Sequence, residues 1–422
     1  MRPFKATNIV LALLCAMYFI TYVDRVNLSA AAGSIQDEFG VTNTDLGVIF
    51  SAFGWAYLLM QFSGAWVGDH FGPRRTLVVC GVIWAGATLL TGLTWTLTAL
   101  FAVRLLLGIG EGATFPTATR AMRTWLPPSR YGFGQGITHS FSRLGSTVTP
   151  PIVLFLIAYI GWRGSFVVVG LVSLVWVVLW GWYFRDNPKD HPSITEEELE
   201  QLAPYEARAK DQKRTVPWWP LVCRMWPVTL TYFCYGWCLW IFLFWIPLFF
   251  QQNYGLDIRG TAGTATIVFF GGFIGDTVGG IMSDGLYRRT GSKKVARLSI
   301  VILGFVGTFF SLMPLLFSQD LVVAVASLTA AFFFAELIIA PIWAVPMDIA
   351  PKYASTASGL MNVGSAGASA ISPIVAGYVL DLTGIWELPF LTLMGFCVIG
   401  TLMAFTMHPE RPFVDPLERA PS

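Results

Sequence analysis

Apolar stretches long enough to cross a lipid bilayer recur along the whole chain, and this feature limits the fold more than any other. A membrane-spanning helix needs about 20 mostly apolar residues. The first stretch is too long for a cleaved signal peptide and lacks a clean small-residue cleavage site. The sequence therefore predicts an all-α integral membrane protein with twelve transmembrane helices. The predicted spans are 8–30, 44–67, 76–95, 97–120, 133–160, 162–184, 225–252, 262–286, 297–317, 320–347, 353–380 and 386–408.

The overall composition supports a lipid environment and excludes several other classes of protein. Hydrophobic residues make up 55% of the chain and charged residues 12%, about half the charged share of a typical soluble domain. One aqueous core could not bury so many apolar side chains. The net charge of +2 gives no basic surface for a nucleic-acid partner. The six cysteines lack the spacing of a disulfide framework or a zinc site, and we expect neither a metal nor another cofactor.

Lysine and arginine residues are distributed unevenly between the two sets of loops. The termini and alternate loops hold 22 of the 27, whereas the opposite loops hold only Arg163 and Arg259. Loops rich in these residues stay on the cytoplasmic side of a membrane. We therefore expect a multi-pass inner-membrane protein with both termini in the cytoplasm.

A charged, proline-rich segment divides the twelve spans into two groups of six. It covers residues 185–224 and is predicted to be a cytoplasmic loop between an N-terminal half, 1–184, and a C-terminal half, 225–422. Within it, "SITEEELEQL" places a capping residue before several acids, which predicts a short surface helix. Two pseudo-symmetric six-helix halves around a central site are typical of transporters.

A short motif recurs at equivalent places in the two halves. "GAWVGDHFGPRR" (64–75) follows the second span and "GGIMSDGLYRRTGSKK" (279–294) follows the eighth. Each has small residues closing a helix, then an aspartate and a basic pair. Aspartates can accept hydrogen bonds from helix N-termini and from arginines, so we expect these loops to close the cytoplasmic side as a gate. The predicted gating residues of the loops are Asp69, Arg74, Arg75, Asp284 and Arg288.

Four ionisable residues of the first and fourth spans lie at membrane depth, where such residues are costly and usually face protein or a water-filled cavity. Arg104 and Glu111 share one face of the fourth span, about 10 Å apart along its axis, and Gly108 between them permits close helix packing. Asp24 and Arg25 are consecutive, so their side chains point roughly 100° apart and are poor partners. Arg25 could then meet an anion and Asp24 a proton. Alternatively, Asp24 and Glu111 neutralise the arginines in a static network.

Several stretches resemble one family of transporters. The twelve spans, the central loop and the duplicated motif resemble the major facilitator superfamily, although His70 stands where an arginine or lysine is common. Within it, four stretches resemble the anion:cation symporter family, which includes bacterial permeases for hexuronates, galactonate and glucarate. These stretches are "TYVDRVNLSA", "GWAYLLMQ", "RLLLGIGEGATFP" and "IWAVPMDIAPKYASTASGLMNVGSAGASAISP".

The resemblance implies roles for particular residues. Asp24 and Glu111 match carboxylates that bind and release protons in the family. Arg25 and Arg104 match arginines of the central cavity, and Arg25 is the one expected to contact a substrate carboxylate. The other expected substrate contacts are two aromatic hydroxyls and two residues of the C-terminal half, namely Tyr22, Tyr57, Trp343 and Asn362.

The fifth span departs from the pattern of the aldonate permeases, which tend to offer a side-chain amide there. Ser142 and Arg143 stand in that region and are candidate substrate contacts, while Glu336 lies at a similar depth in the tenth span. Arg143 and Glu336 could form a salt bridge that breaks when one side opens, or a static pair. Arg143 could instead be a second anion anchor, suited to a dicarboxylate. Asp276, placed near the end of the eighth span, is expected to be structural or gating.

Together these features predict a secondary active transporter that imports a small organic anion by proton symport with alternating access. The expected cargo is a sugar acid, such as a hexuronate, aldonate or aldarate. The alternatives are a proton-independent facilitator or exchanger of carboxylates, an exporter of amphipathic compounds and a receptor that does not transport. No sequence motif of useful specificity indicates an enzyme. The expected partners are the anion, protons and the lipid bilayer, and we expect a monomer.

Overall fold

The fold is entirely helical in the part of the chain that the structure describes, which confirms the predicted all-α class. The computed structural model describes residues 5–127, 130–202 and 216–414, apart from the side chains of residues 62–66, 68, 69, 131, 132 and 355. In chain order its α-helices are α1 (Ala6–Phe39), α2 (Asn43–Phe71), α3 (Pro73–Thr91), α4 (Leu97–Gly112), α5 (Thr114–Trp125), α6 (Tyr131–Tyr183), α7 (Glu196–Gln201), α8 (Trp218–Tyr254), α9 (Ile258–Thr290), α10 (Lys293–Leu312), α11 (Leu321–Glu336), α12 (Ile339–Ile349), α13 (Ala354–Thr383) and α14 (Glu387–Ala404).

Ten helical segments among the described residues are long and apolar enough to cross a membrane. One of them, Phe133–Tyr183, has 51 residues, which corresponds to roughly 77 Å of helix and is more than twice the ~30 Å hydrocarbon core. Gly161, with a φ of 71°, interrupts this segment between the predicted spans 133–160 and 162–184. The predicted second span lies within α2. The multi-pass membrane fold is therefore supported, while the count of twelve spans stays a prediction.

Two membrane segments are interrupted near their middle, and each interruption follows a glutamate. Helix α4 ends at Gly112, so Glu111 lies in its last turn. Helix α11 ends at Glu336, three residues before α12 begins. The C-terminal end of a helix carries partial negative charge. A buried carboxylate at either position therefore depends on a nearby cation or on a proton.

The two ends of the helix bundle can be named from the chain termini. The terminal side is the end at which α1 begins and α14 finishes. The central segment and the start of α8 lie there too, because the backbone N–H of Thr7 donates to Glu198 and Arg224 donates to the carbonyl of Met407. The far side, at the other end of the bundle, holds the turn between α1 and α2 and the ends of α8 and α13.

Helices α2 and α13 are in direct contact on the far side. The carboxylate of Asp381 accepts hydrogen bonds from the backbone N–H groups of Asn43 at 3.0 Å and Thr44 at 2.7 Å, at the start of α2. Further into the membrane, a Cβ added at Gly54 would overlap the backbone of Ser369 on α13. Glycine is needed there because the two backbones approach so closely. The far side is therefore closed by contacts between helices that come before and after the central segment.

The predicted surface helix of the central segment is confirmed as α7, and it is attached to α1. A capping box between Thr195 and Glu198 begins the helix. The buried carboxylate of Glu198 also accepts from the backbone N–H of Thr7 at 3.1 Å and from its hydroxyl at 2.9 Å. Burial raises the pKa of Glu198, but hydrogen bonds from Thr7 and Thr195 outweigh it and hold that pKa below its usual value. One carboxylate therefore caps the starts of two helices.

Replacing Glu198 by glutamine should lower the thermal stability of the protein at neutral pH, because hydrogen bonds to a charged group contribute about 1.5–3 kcal/mol. The pKa of Glu198 is lower in the folded than in the unfolded state. At pH values above its unfolded pKa the carboxylate therefore makes its full contribution to the free energy of unfolding. That contribution is lost as the pH falls through the folded pKa. Thermal melts should show the difference between wild type and Glu198→Gln shrinking at acidic pH. The exposed neighbour Glu197→Gln is the control, and a difference that stays constant with pH would contradict the assignment.

Candidate functional site

An ion pair between α1 and α4 lies at the centre of the candidate site. The Nε of Arg25 donates to Oε2 of Glu111 at 2.7 Å, and both side chains are buried. Aromatic faces attract a cation and keep water away from it. Glu111 is therefore the acid that meets the charge of Arg25, and an anionic ligand could take the place of Glu111. The guanidinium carbon lies 4.8–5.7 Å from the centres of five rings, which belong to Tyr22, Phe53, Tyr57, Phe115 and Trp240.

Asp24 points away from Arg25 and bonds to two other helices. Its carboxylate accepts from the hydroxyl of Thr88 on α3 at 2.9 Å and from the hydroxyl of Ser173 on α6 at 3.3 Å. The side chain is buried. Two neutral hydroxyls do not neutralise a buried negative charge, so Asp24 is a site that can take a proton without losing its position.

Arg104 lies on the same face of α4 as Glu111, as the sequence predicts. Its side chain is buried, and its guanidinium carbon lies 5.6 Å from the ring of Phe53. A Cβ at Gly108 would overlap the carbonyl of Phe53, so the glycine brings α4 against α2 as expected. The Nε and Nη2 atoms of Arg104 have no hydrogen-bond partner among the described residues.

A second charged cluster surrounds Arg143 on α6. Its Nε lies 2.8 Å from Oε2 of Glu336 on α11 and 3.9 Å from Oδ2 of Asp276 on α9. Its Nη2 donates to the hydroxyl of Tyr235 on α8 at 3.1 Å, and that hydroxyl donates to Oε1 of Glu336 at 3.1 Å. One guanidinium group thus faces two carboxylates. The contact between Arg143 and Glu336 that the sequence suggests is present, and it joins helices from the two predicted halves.

The predicted contact residues of the C-terminal half and of the fifth span have different surroundings. Asn362 on α13 donates to the hydroxyl of Tyr57 at 3.3 Å and to the side-chain carbonyl of Gln61 at 2.9 Å, so it bridges to α2. The indole N–H of Trp343 donates to the hydroxyl of Tyr232 at 2.9 Å. These two side chains lie at the boundary between the halves. Ser142 instead donates to the carbonyl of His139 within its own helix, at 2.6 Å.

Among the described side chains, the predicted gating residues of the two loops do not contact one another across the terminal side. The backbone N–H of Arg74 donates to Asp186 at 2.8 Å, and its guanidinium donates to the carbonyl of Gly181 at 3.0 and 2.6 Å. The Oδ1 of Asp284 lies 3.6 Å from the Nη1 of Arg297, near the start of α10. Each group therefore pairs with its own neighbours. The remaining predicted gating residues of the loops are Arg75 and Arg288, which are exposed, and Asp69, whose side chain lies outside the described residues.

The placement of Asp276 near the end of its span was wrong. Helix α9 continues to Thr290, four residues beyond the predicted span, so Asp276 lies near the middle of the helix and beside Arg143. Sequence reasoning also missed Tyr235 as the hydroxyl that links Arg143 to Glu336. The signal for Asp276 was available, because an acid in an apolar span needs a partner at membrane depth. No such signal exists for one tyrosine among many aromatic residues.

Of the fifteen buried side-chain atoms that lack a partner among the described residues, seven belong to the two charged clusters. They include the Nη2 of Arg25, the Oε1 of Glu111 and the Nη1 of Arg143, besides the two nitrogens of Arg104. A buried donor without an acceptor costs about 1–3 kcal/mol. Guanidinium donors of this kind can form charge-assisted hydrogen bonds with a ligand that has negatively charged oxygens. Among the described residues, no group of three or more His, Cys, Asp or Glu is arranged to hold a metal ion.

The sequence matches the family model of the Major Facilitator Superfamily over residues 14–373. The chain belongs to this superfamily. The match confirms the predicted fold and the prediction of a transporter rather than an enzyme. A solved bacterial homologue of the human lysosomal transporter Spinster, described as inward-facing and unoccupied, has the same fold, with a TM-score of 0.71 and 16% sequence identity over 96% of this chain and 97% of the other.

Two curated relatives are similar over nearly their whole length. A protein named "Probable sulfoacetate transporter" from Cupriavidus necator is 43% identical over 99% of this chain and 97% of its own length. A protein named "Hexuronate transporter" from Bacillus subtilis is 30% identical over 91% of this chain and 90% of its own length. The second name agrees with the resemblance to sugar-acid permeases that the sequence motifs carry, and the first names another small organic anion.

Proposed function

We propose that the protein imports a small organic anion together with protons across the bacterial inner membrane, as a monomer with both termini in the cytoplasm. Two halves, residues 1–184 and 225–422, would alternate around the central site. The observation that carries the proposal is the set of buried guanidinium nitrogens of Arg25 and Arg104 without acceptors. Carboxylate or sulfonate oxygens of a cargo would complete them with charge-assisted hydrogen bonds. The cargo is a sugar acid or another small carboxylate or sulfonate, and the names of both relatives are those of organic-anion transporters.

Proton coupling follows from a competition for Arg25. Glu111 occupies Nε of this guanidinium at 2.7 Å, and a cargo carboxylate would need the same positive charge. When Glu111 takes a proton, its hold on Arg25 weakens and the cargo binds. When Glu111 loses the proton, it displaces the cargo. Its place in the last turn of α4 favours this role, because the helix end repels a negative charge.

Asp24 is the second proton site in this scheme. It points about 100° around α1 from Arg25 and is held by Thr88 and Ser173. Its charge acts on Arg104 and Glu111 across a short distance in a medium of low dielectric constant. Two carboxylates close to two guanidinium groups allow two protons to enter with each anion, so that a monoanion would enter with net positive charge, assisted by the membrane potential, and a dianion without net charge.

Alternation requires contacts that open and close on each side of the cargo. On the far side, Asp381 holds the start of α2, and Gln252 on α8 donates to Gln36 on α1 at 2.7 Å. Midway through the membrane, the pair of Arg143 and Glu336 joins the halves. We propose that these contacts break when the far side opens and that the loops with Asp69 and Asp284 then close the terminal side.

Uptake into proteoliposomes with an imposed pH gradient tests this function. We expect accumulation of organic acids when the outside is more acidic, and abolition of that accumulation by a protonophore. Asp24→Asn should remove gradient-driven accumulation but retain exchange of labelled for unlabelled anion, because the amide oxygen can accept from one hydroxyl and the amide N–H can donate to the other, while the amide cannot release a proton. Asp37→Asn, an exposed residue of the same helix, is the matched control. Anion transport that ignores the protonophore would contradict symport and favour a facilitator or exchanger.

A further inference from the structure

We propose that Arg143 is a second anion-binding position and that the cargo is a short dianion, with one acid group on Arg25 and the other on Arg143. This inference rests on the proposed function and deepens it. It assigns to the second charged cluster a role in choosing the substrate, where a static cluster would only hold helices together. The claim depends on three features, which are the distance between the two arginines, the incomplete pairing of Arg143 and the position of Glu336.

The two guanidinium groups lie near the same aromatic ring. The guanidinium carbons of Arg25 and Arg143 are 4.8 and 5.2 Å from the centre of the Tyr22 ring, so they are no more than about 10 Å apart. A charge-assisted hydrogen bond of ~2.8 Å sets a guanidinium carbon roughly 4 Å from the central atom of the acid. At most roughly 2 Å then remains between the central atoms of the two acid groups along the line that joins the guanidinium carbons. Acid groups that are adjacent, or separated by a single carbon and set slightly off that line, fit this gap, whereas an extended six-carbon diacid does not.

Arg143 is incompletely paired although it faces two acids. Its Nη1 has no partner, and its Nε lies 2.8 Å from Glu336 without the alignment of a hydrogen bond, so the Oε2 of Glu336 is also unbonded. The Oδ2 of Asp276 lies 3.9 Å from the Nε of Arg143, too far for a hydrogen bond. Bidentate pairing with one carboxylate is the arrangement that guanidinium groups favour, and this cluster does not provide it. An arriving acid group therefore offers Arg143 better hydrogen bonds than either resident carboxylate does.

Glu336 occupies the position in α11 that corresponds to Glu111 in α4. Each glutamate lies in the last turn before an interruption of its membrane segment, and each touches an arginine from another helix. Glu111 covers the arginine that receives the first acid group. By the same geometry, Glu336 covers Arg143, which receives the second acid group of the cargo. Glycine at 272 lets the side chains of α11 approach α9 there, because an added Cβ would press on Glu336 and on the ring of Phe332.

Binding of matched anions to the purified full-length protein, measured by isothermal titration calorimetry, tests this inference. The probes are sulfoacetate and malonate, which carry two acid groups, and glycolate, which carries one. Wild type should bind the dianions about 10- to 100-fold more tightly than glycolate. Arg143→Gln should remove that preference and leave glycolate affinity within about threefold. Arg163→Gln, which changes an arginine paired with Glu38 on the far side, should change neither affinity.

A second variant keeps the test valid if Arg143→Gln unfolds the protein. In Arg143→Gln with Glu336→Gln, both partners are neutral amides, so no uncompensated charge remains in the pair, and the dianion preference should again disappear. Equal weakening of all three probes, or a retained dianion preference, would overturn the inference. A wild type that binds glycolate as tightly as the dianions would also overturn it while leaving anion transport intact. A wild type that neither binds nor transports any organic acid would overturn the proposed function itself.

Discussion

Replacing Arg25 by lysine should reduce anion uptake by about a hundredfold or more. The guanidinium group bonds Glu111 through Nε and keeps Nη2 free for a second acceptor. An ammonium group is a compact charge without this planar fork, so it cannot offer the cargo the paired N–H donors that become available when Glu111 is protonated. Two charged hydrogen bonds at about 1.5–3 kcal/mol each account for an effect of this size. Initial rates of uptake in proteoliposomes measure it.

The lysine substitution keeps the charge of the site, so the protein should remain folded. Alanine is a harsher change, because it would leave Glu111 buried without a partner, at a cost of about 3–5 kcal/mol. Arg163→Lys is the matched control, since Arg163 also pairs with a glutamate but lies on the far side. Unchanged accumulation by correctly folded Arg25→Lys protein would remove the basis of the proposed mechanism.

Exchanging the charges of Arg143 and Glu336 should restore stability that either single change removes. Arg143→Glu alone places three carboxyl groups together, and Glu336→Arg alone leaves two cations side by side. Each should lower the free energy of unfolding by about 3–5 kcal/mol, as expected when one partner of a buried pair is lost. The double variant rebuilds the pair in reverse, and its arginine would lie at the C-terminal end of α11, where a cation is favourable.

Recovery in the double variant should be incomplete, because Asp276 would then face a glutamate at position 143. Thermal melts of wild type, both single variants and the double variant give the coupling between the two residues. The exchange Arg163→Glu with Glu38→Arg is the control, since partly exposed pairs contribute only about 0–1 kcal/mol. A double variant no more stable than either single variant would show that the two side chains do not act as a salt bridge.

Local helix geometry predicted much of the first cluster. Consecutive residues on a helix diverge by about 100°, which separates Asp24 from Arg25, and the structure shows each with its own partners. The same argument placed Arg104 and Glu111 on one face of α4. It could not decide which arginine Glu111 would pair with, because that depends on how α1 and α4 approach each other. The structure shows that Arg25 is the partner.

Features set by packing between distant helices were harder to predict. Ser142 lies beside Arg143 in sequence, but its hydroxyl bonds within α6, and a buried serine of a helix satisfies its hydrogen bond in this way without any local signal. The loop aspartates were expected to meet helix N-termini and arginines; Asp284 lies beside Arg297 near the start of α10, and the partner of Arg74 is Asp186, which the motif did not include. The far-side contact at Asp381 had no counterpart in the sequence motifs. It arises because the first backbone N–H groups of α2 need acceptors.

The central claim is that guanidinium groups at membrane depth bind a negatively charged cargo. Its most direct test is a comparison of uptake by proteoliposomes for a panel of organic acids, with sulfoacetate and malonate among them, against neutral sugars of similar size. The acids should accumulate and compete with one another, while neutral sugars should neither accumulate nor compete. Neutral sugars transported as well as the acids, or better, would contradict the claim.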